Sequence, residues 1–206
     1  PETKVPGLAE MLSHNPGGLK KGTGSSQSFN VVEAEGDDLV HSDGKTAQKA
    51  VKLIGKYKDM EKPFFLAVGF VRPHVPLVAP KKYFAPYPLD KIILPPKIPG
   101  DQNDIPRNPA NKRTTANYKM DLNQQKGTLR AYYASVSFVD ALVGKILTAL
   151  EATGQRDNTI VIFTSDHGYH LGEHDLWQKV SIHEESAKVP LIICVPGKKP
   201  AVCNSL

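Results

Sequence analysis

Three continuous apolar runs of strand length, at Pro63–Phe70, Thr159–Ser165 and Val189–Val195, constrain this chain more than any other feature. Runs of this kind, without polar alternation, suit strands covered on both faces of a sheet. Segments of helical period lie between them. In the first, Lys45–Asp59, Ala47, Ala50, Val51 and Ile54 fall on one face and Asp43 offers an N-cap. The second is stronger: Leu129, Tyr132, Tyr133, Val136, Val139, Val143, Ile146, Leu147 and Leu150 keep helical spacing over about six turns. Gly154 supplies its stop. The order helix, strand, long loop, helix, strand, loop, strand predicts an α/β layered fold with a mostly parallel central sheet.

With 206 residues, 40% of them hydrophobic and 23% charged, the chain can bury a core and has no disorder-like composition. No window approaches the run of about 20 apolar residues that a spanning helix needs, so no membrane is expected as a partner. Lys and Arg exceed Asp and Glu by 26 to 21. The excess is scattered in pairs such as Lys81-Lys82 and Lys198-Lys199, with no arginine-rich helix or aromatic-basic alternation. That pattern argues against nucleic acid and leaves an anionic small molecule or polysaccharide open. Two cysteines, Cys194 and Cys203, make neither a disulfide framework nor a zinc set. Residues 1–41 read as a loop-rich segment or insertion of the same domain, with the Gly/Ser/Asn/Pro-rich stretch Ser13–Asn30 at its centre. A start at Pro1 without methionine reads as a piece of a longer protein.

In open α/β sheets, ligands gather at the carboxyl ends of the strands. Two segments qualify: Val71–Pro76 after the first apolar run and Asp166–His174 after the second. His74 lies between Pro73 and Pro76, in a stretch, residues 71–125, that holds ten of the 17 prolines. Prolines fix its backbone, and an imidazole at a cleft edge can protonate a leaving group; a loop histidine packed on the turns is the plainer alternative. Asp166 and His167 can both turn toward a cation, while Gly168 lets the backbone pass close by. A strand-end aspartate capping the next turn would look the same. The spacing of His167, His170 and His174 invites a transition-metal reading, but Gly168 and Gly172 argue for a loop, where that spacing builds no helical face. Lys179 offers a compact positive charge to a sulfate or phosphate, or is simply solvated.

Taken together, Thr164–Gly168 (Thr-Ser-Asp-His-Gly), Leu171–His174 (Leu-Gly-Glu-His), Trp177–Lys179, Val189–Leu191 and Pro196-Gly197 resemble the C-terminal half of the type I sulfatase catalytic domain. Pro63–Pro76 and the helix through Arg130–Asp140 fit the same pattern. Iduronate-2-sulfatases and their bacterial relatives are the most similar branch. The resemblance covers about residues 42–200 and implies that 42–206 is the C-terminal part of such a domain. It implies an alkaline-phosphatase-like α/β sandwich that hydrolyses sulfate esters of a sulfated carbohydrate. It also implies calcium and a formylglycine, made from the cysteine of a Cys-x-Pro-x-Arg motif in an N-terminal part of the same enzyme. Asp166 and His167 are then metal ligands, His74 and Lys179 grip the sulfate and assist the leaving oxygen, and His174 lies on the substrate side. Family habit places such enzymes in a periplasm, a lysosome or outside the cell.

Two local matches depart from that pattern. Asp37-Asp38 follows no apolar run and reads as a solvated turn. Cys194–Lys198 (Cys-Val-Pro-Gly-Lys) has lysine where the nucleophile motif needs arginine, and it ends the third run. Without a nucleophile the chain alone is expected to be catalytically silent. A phosphoester hydrolase of the same superfold and a nucleophile-free glycan-binding domain are the competing readings.

Overall fold

The computed structural model describes residues 31–101, 103, 118, 120–179 and 181–203; the stretch 13–30, expected as loop, lies outside them. Strand β1, Val31–Ala34, pairs in parallel with β2, Leu77–Pro80, in a register running from Val31↔Leu77 to Ala34↔Pro80. Helix α1, Ser42–Tyr57, makes the crossover that a parallel pair requires. Neither strand was anticipated, because four residues carry no periodic signal and β2 lies among prolines. Asp43 is also not the cap. It sits inside the first turn of α1, behind the N-cap residue His41, and its carboxylate is engaged elsewhere.

Helix α2, Leu122–Ala152, opens on a reciprocal capping box: Gln124 N–H donates to Asp121 Oδ1 and Asp121 N–H to Gln124 Oε1, both at 2.8 Å. It ends before Gly154, whose φ of +69° suits glycine. The buried face is rotated from the expected stripe. Ala131, Ala134, Ser135, Phe138 and Leu142 are buried, whereas Tyr133 and Val136 are exposed. Small side chains let the helix approach the β1–β2 pair closely, and Phe138 and Leu142 fill the space with Val31, Leu77, Ala79, Phe84 and Ala47. By length and composition alone α2 could also cross a membrane, which corrects the expectation that no window comes close. Here it is the helix against which the parallel pair packs, and it carries ion pairs from Arg130 to Glu33 and from Lys145 to Asp38.

The later strands differ from expectation. β3, Val161–Thr164, pairs antiparallel with β6, Leu191–Cys194. β4, His170–Leu171, pairs antiparallel with β5, Trp177–Gln178, and helix α3, Glu184–Ala187, follows. Pro63–Phe70 forms no strand: the residues alternate between half-buried and exposed, and Phe65 is 94% exposed. β3 and β6 are not buried on both faces either, with Ile162, Leu191, Ile192 and Ile193 all exposed. The reason is the same in each place. Among the described residues no strand pairs with Pro63–Phe70, and none beyond their own partner flanks β3 or β6.

Asp38 overturns the solvated-turn reading. Its carboxylate is buried and receives Lys82 Nζ at 2.8 Å, Lys145 Nζ at 2.5 Å and the Tyr83 hydroxyl at 3.1 Å. Desolvation pushes its pKa up, but these donors outweigh it and hold the carboxyl below its ordinary value. Asp37 caps the short turn of 3-10 helix at Asp38–Val40 by accepting from Leu39 N–H.

Candidate functional site

His74 stands exposed on a loop that is fixed from below. The buried carboxylate of Asp43 accepts Val71 N–H at 3.1 Å and Arg72 N–H at 2.8 Å. The Arg72 guanidinium in turn donates to the carbonyls of His74 and Pro76, at 2.5 and 2.7 Å. His74 Nδ1 is 2.6 Å from the Val75 carbonyl, which can only accept, so Nδ1 carries the proton and Nε2 is the nitrogen open to solvent. Prolines were expected to hold this loop. Asp43 and Arg72 do so as well, and no sequence signal separated Asp43 from an ordinary helix-start aspartate.

Asp166 and His167 follow β3 after the single residue Ser165. Asp166 Oδ1 accepts from His167 N–H at 3.1 Å and from the Ser165 hydroxyl at 3.3 Å. Although desolvation acts to raise its pKa, the backbone N–H groups of Asp166 and His167, the His167 imidazole and the Ser165 hydroxyl hold it below the ordinary value. His167 Nδ1 faces the Gly168 carbonyl at 2.7 Å, so in neutral histidine the lone pair is on Nε2. That lone pair lies 3.5 Å from Asp166 Oδ2. Two acceptors facing each other at this separation are spaced as adjacent ligands of one cation. The pair thus fits a metal ion as part of its shell, since a hard cation takes about six to eight ligands. The close approach at Gly168 is to backbone: its N–H donates to Ser186 O at 2.8 Å, and a Cβ there would lie 2.1 Å from Glu185 O.

Between β4 and β5 the backbone enters the left-handed region at Gly172, His174, Asp175 and again at Gln178. Three of these residues bear side chains, and such conformations persist only where the surroundings impose them. The turn sends His174 Nδ1 to Asp101 Oδ2 at 2.7 Å and leaves Nε2 3.5 Å from Glu185 Oε2. The hydrogen bond to Asp101 raises the His174 pKa. Lys179 follows Gln178, half-buried, and forms no ion pair among the described residues. His167, His170 and His174 do not group by their spacing: His170, His174 and His183 have ring centroids within 6.1 Å of one another, while His167 belongs with Asp166. A loop permits this regrouping because it imposes no helical face.

No hydrogen bond or ion pair among the described residues joins His74 to Asp166, His167 or Lys179. The two loops share a support instead. Phe70 and Val75 pack on the cluster that includes Ala131 and Phe138 of α2, and Tyr132 of the same helix stacks on Tyr169 at 5.2 Å. Cys194 is remote from this arrangement. It pairs with Val161, whereas Thr164, beside the Asp166 end, pairs with Leu191. Three residues of strand correspond to about 10 Å. Arg156 Nη2 lies 3.5 Å from its sulfur.

This geometry belongs to the alkaline-phosphatase-like α/β fold. A phosphonate monoester hydrolase from Silicibacter pomeroyi superposes with a TM-score of 0.69 at 25% identity, covering 80% of this chain and 35% of that one. The sulfatase family model matches residues 14–205, and the chain belongs to the sulfatase family. A sulfatase of Formosa agariphila is 41% identical over 151 residues, 69% of this chain and 30% of that protein. Human iduronate 2-sulfatase is 36% identical over 169 residues, 76% of this chain and 31% of that protein. The chain therefore spans about 30% of the length of these relatives.

Proposed function

We propose that this chain carries the C-terminal share of a sulfuric ester hydrolase site acting on a sulfated sugar. A preceding part of the same enzyme would supply the formylglycine nucleophile. The observation that carries the reading is the Asp166–His167 pair at the end of β3, with two acceptors facing each other at 3.5 Å. Asp166 and His167 would hold calcium as two of its ligands. When bound, the ion would steady the negative charge on the sulfate oxygens. Lys179 adds a compact positive charge to the same anion. His74, with Nδ1–H committed to a carbonyl, would act in its imidazolium form, whose Nε2–H gives its proton to the ester oxygen as the S–O bond breaks. His174 borders this arrangement on the substrate side, turned toward Asp101 and Glu185. The iduronate preference rests on the human relative and on the motif order.

The decisive experiment reads the coding sequence upstream of Pro1 for a Cys-x-Pro-x-Arg motif and assays the chain alone and joined to that segment. The chain alone should release no sulfate, and the joined protein should cleave sulfated uronic-acid substrates. In the joined protein, His74→Ala should lower kcat by about 10²-fold or more on sugar sulfates, and less on aryl sulfates, whose leaving oxygens need no proton. Equal losses on both substrates would remove His74 from the acid role. Preference for phosphonate or phosphate monoesters would move the protein toward the Silicibacter pomeroyi neighbour.

A further inference from the structure

Beside the sulfate-ester arrangement, and sharing His174 with its substrate side, lies a second group of ligating side chains. His174, His183 and Glu185 each present one donor atom, and the three atoms lie within 4.8 Å of one another. His183 Nε2 and Glu185 Oε2 are both shut off from solvent and have no hydrogen-bond partner among the described residues. His174 is oriented for them: its Nδ1 hydrogen-bonds the Asp101 carboxylate at 2.7 Å, so Nε2 is the nitrogen turned to Glu185. A carboxylate on the far ring nitrogen is the usual support of a metal-bound histidine. The 3.5 Å between His174 Nε2 and Glu185 Oε2 is close to the separation of about 3.4 Å between two tetrahedral ligands of one zinc ion.

We propose that His174, His183 and Glu185 form a zinc site, with Asp101 as the outer partner of His174 and water at the fourth position. Two imidazoles and a carboxylate are a zinc donor set and too nitrogen-rich for calcium. A proton on His174 would answer Glu185 but leave His183 unpartnered, whereas one cation answers all three groups. The bound ion ties the left-handed turn before Lys179 to the segment leading into α3. It therefore fixes the loop that positions Lys179.

The test is titration of the metal-stripped 206-residue chain with zinc, and with cobalt as a spectroscopic probe, in excess calcium so that hard-cation sites are filled. One equivalent should bind, with tetrahedral cobalt absorption and no thiolate charge-transfer band. His183→Asn and Glu185→Gln should each weaken binding by at least tenfold, while Asp166→Asn leaves it unchanged. In the unaltered chain, zinc should protect His174 and His183 from diethylpyrocarbonate, read by mass spectrometry, which needs no variant to fold. Absence of stoichiometric binding, loss of binding only in Asp166→Asn, a thiolate band, or unprotected histidines would each overturn the assignment.

Discussion

The β1–β2 and β3–β6 pairs, one parallel and one antiparallel, are equal in length and opposite in burial. Each joins two apolar four-residue strands. In the first, Leu77 and Ala79 are buried against α2, and Val32, Ala34 and Val78, on the opposite face, are buried as a cluster of their own. In the second, Ile162 and Ile192 keep 62% and 60% of their surface open. An apolar run shows that a strand can form. What lies across its face decides whether burial stabilises it, at about 25 cal/mol for each Å² removed from water.

The sharpest way to break this comparison is Phe138→Ala, which opens a cavity between α2 and the parallel pair. A loss of about 3–5 kcal/mol is expected from urea unfolding, and a loss under about 1 would mean that this layer is not the stable one. Asp43→Ala comes next, because it strands the N–H groups of Val71 and Arg72 in the same half of the molecule. About 2–3 kcal/mol should go, seen as a lower denaturation midpoint. Asp38→Asn probes the polar edge of the packed layer, with a cost of about 1–2 kcal/mol at neutral pH. Its sign with pH is fixed: Asp38 titrates below its ordinary value of 3.8, so its contribution is present above that value and lost as pH falls through the lower folded value. The acid limb of the stability curve should therefore flatten in Asp38→Asn. The smallest effect is reserved for the open pair. Ile192→Ser should change stability by no more than about 0.5 kcal/mol and should reduce self-association in light scattering. A large loss there would show that this face is covered in solution.

Helix α2 was legible in the sequence from its long periodic pattern and its glycine stop, and β3 and β6 from their apolar runs. The buried stripe of α2 was misjudged because large residues dominate a pattern, while Ala131, Ala134 and Ser135 make the close contact. Pro63–Phe70 has strand composition, but a strand also needs a hydrogen-bonding neighbour, which composition does not report. Of the proposed site, His74, Asp166, His167 and Lys179 were visible as residues following apolar runs or within a motif. Asp43, Asp101, His183 and Glu185 were not, since they join the site through contacts that bridge distant stretches of chain.

The Asp43 carboxylate has one further consequence. It connects residues 28 and 29 positions apart, so the first turn of α1 and the loop of His74 belong to one cooperative opening unit. The amide protons of Val71 and Arg72 should then exchange with deuterium at the pace of the helix start and more slowly than an exposed loop would allow. Whatever frays the beginning of α1 also slackens the aim of a histidine some thirty residues downstream.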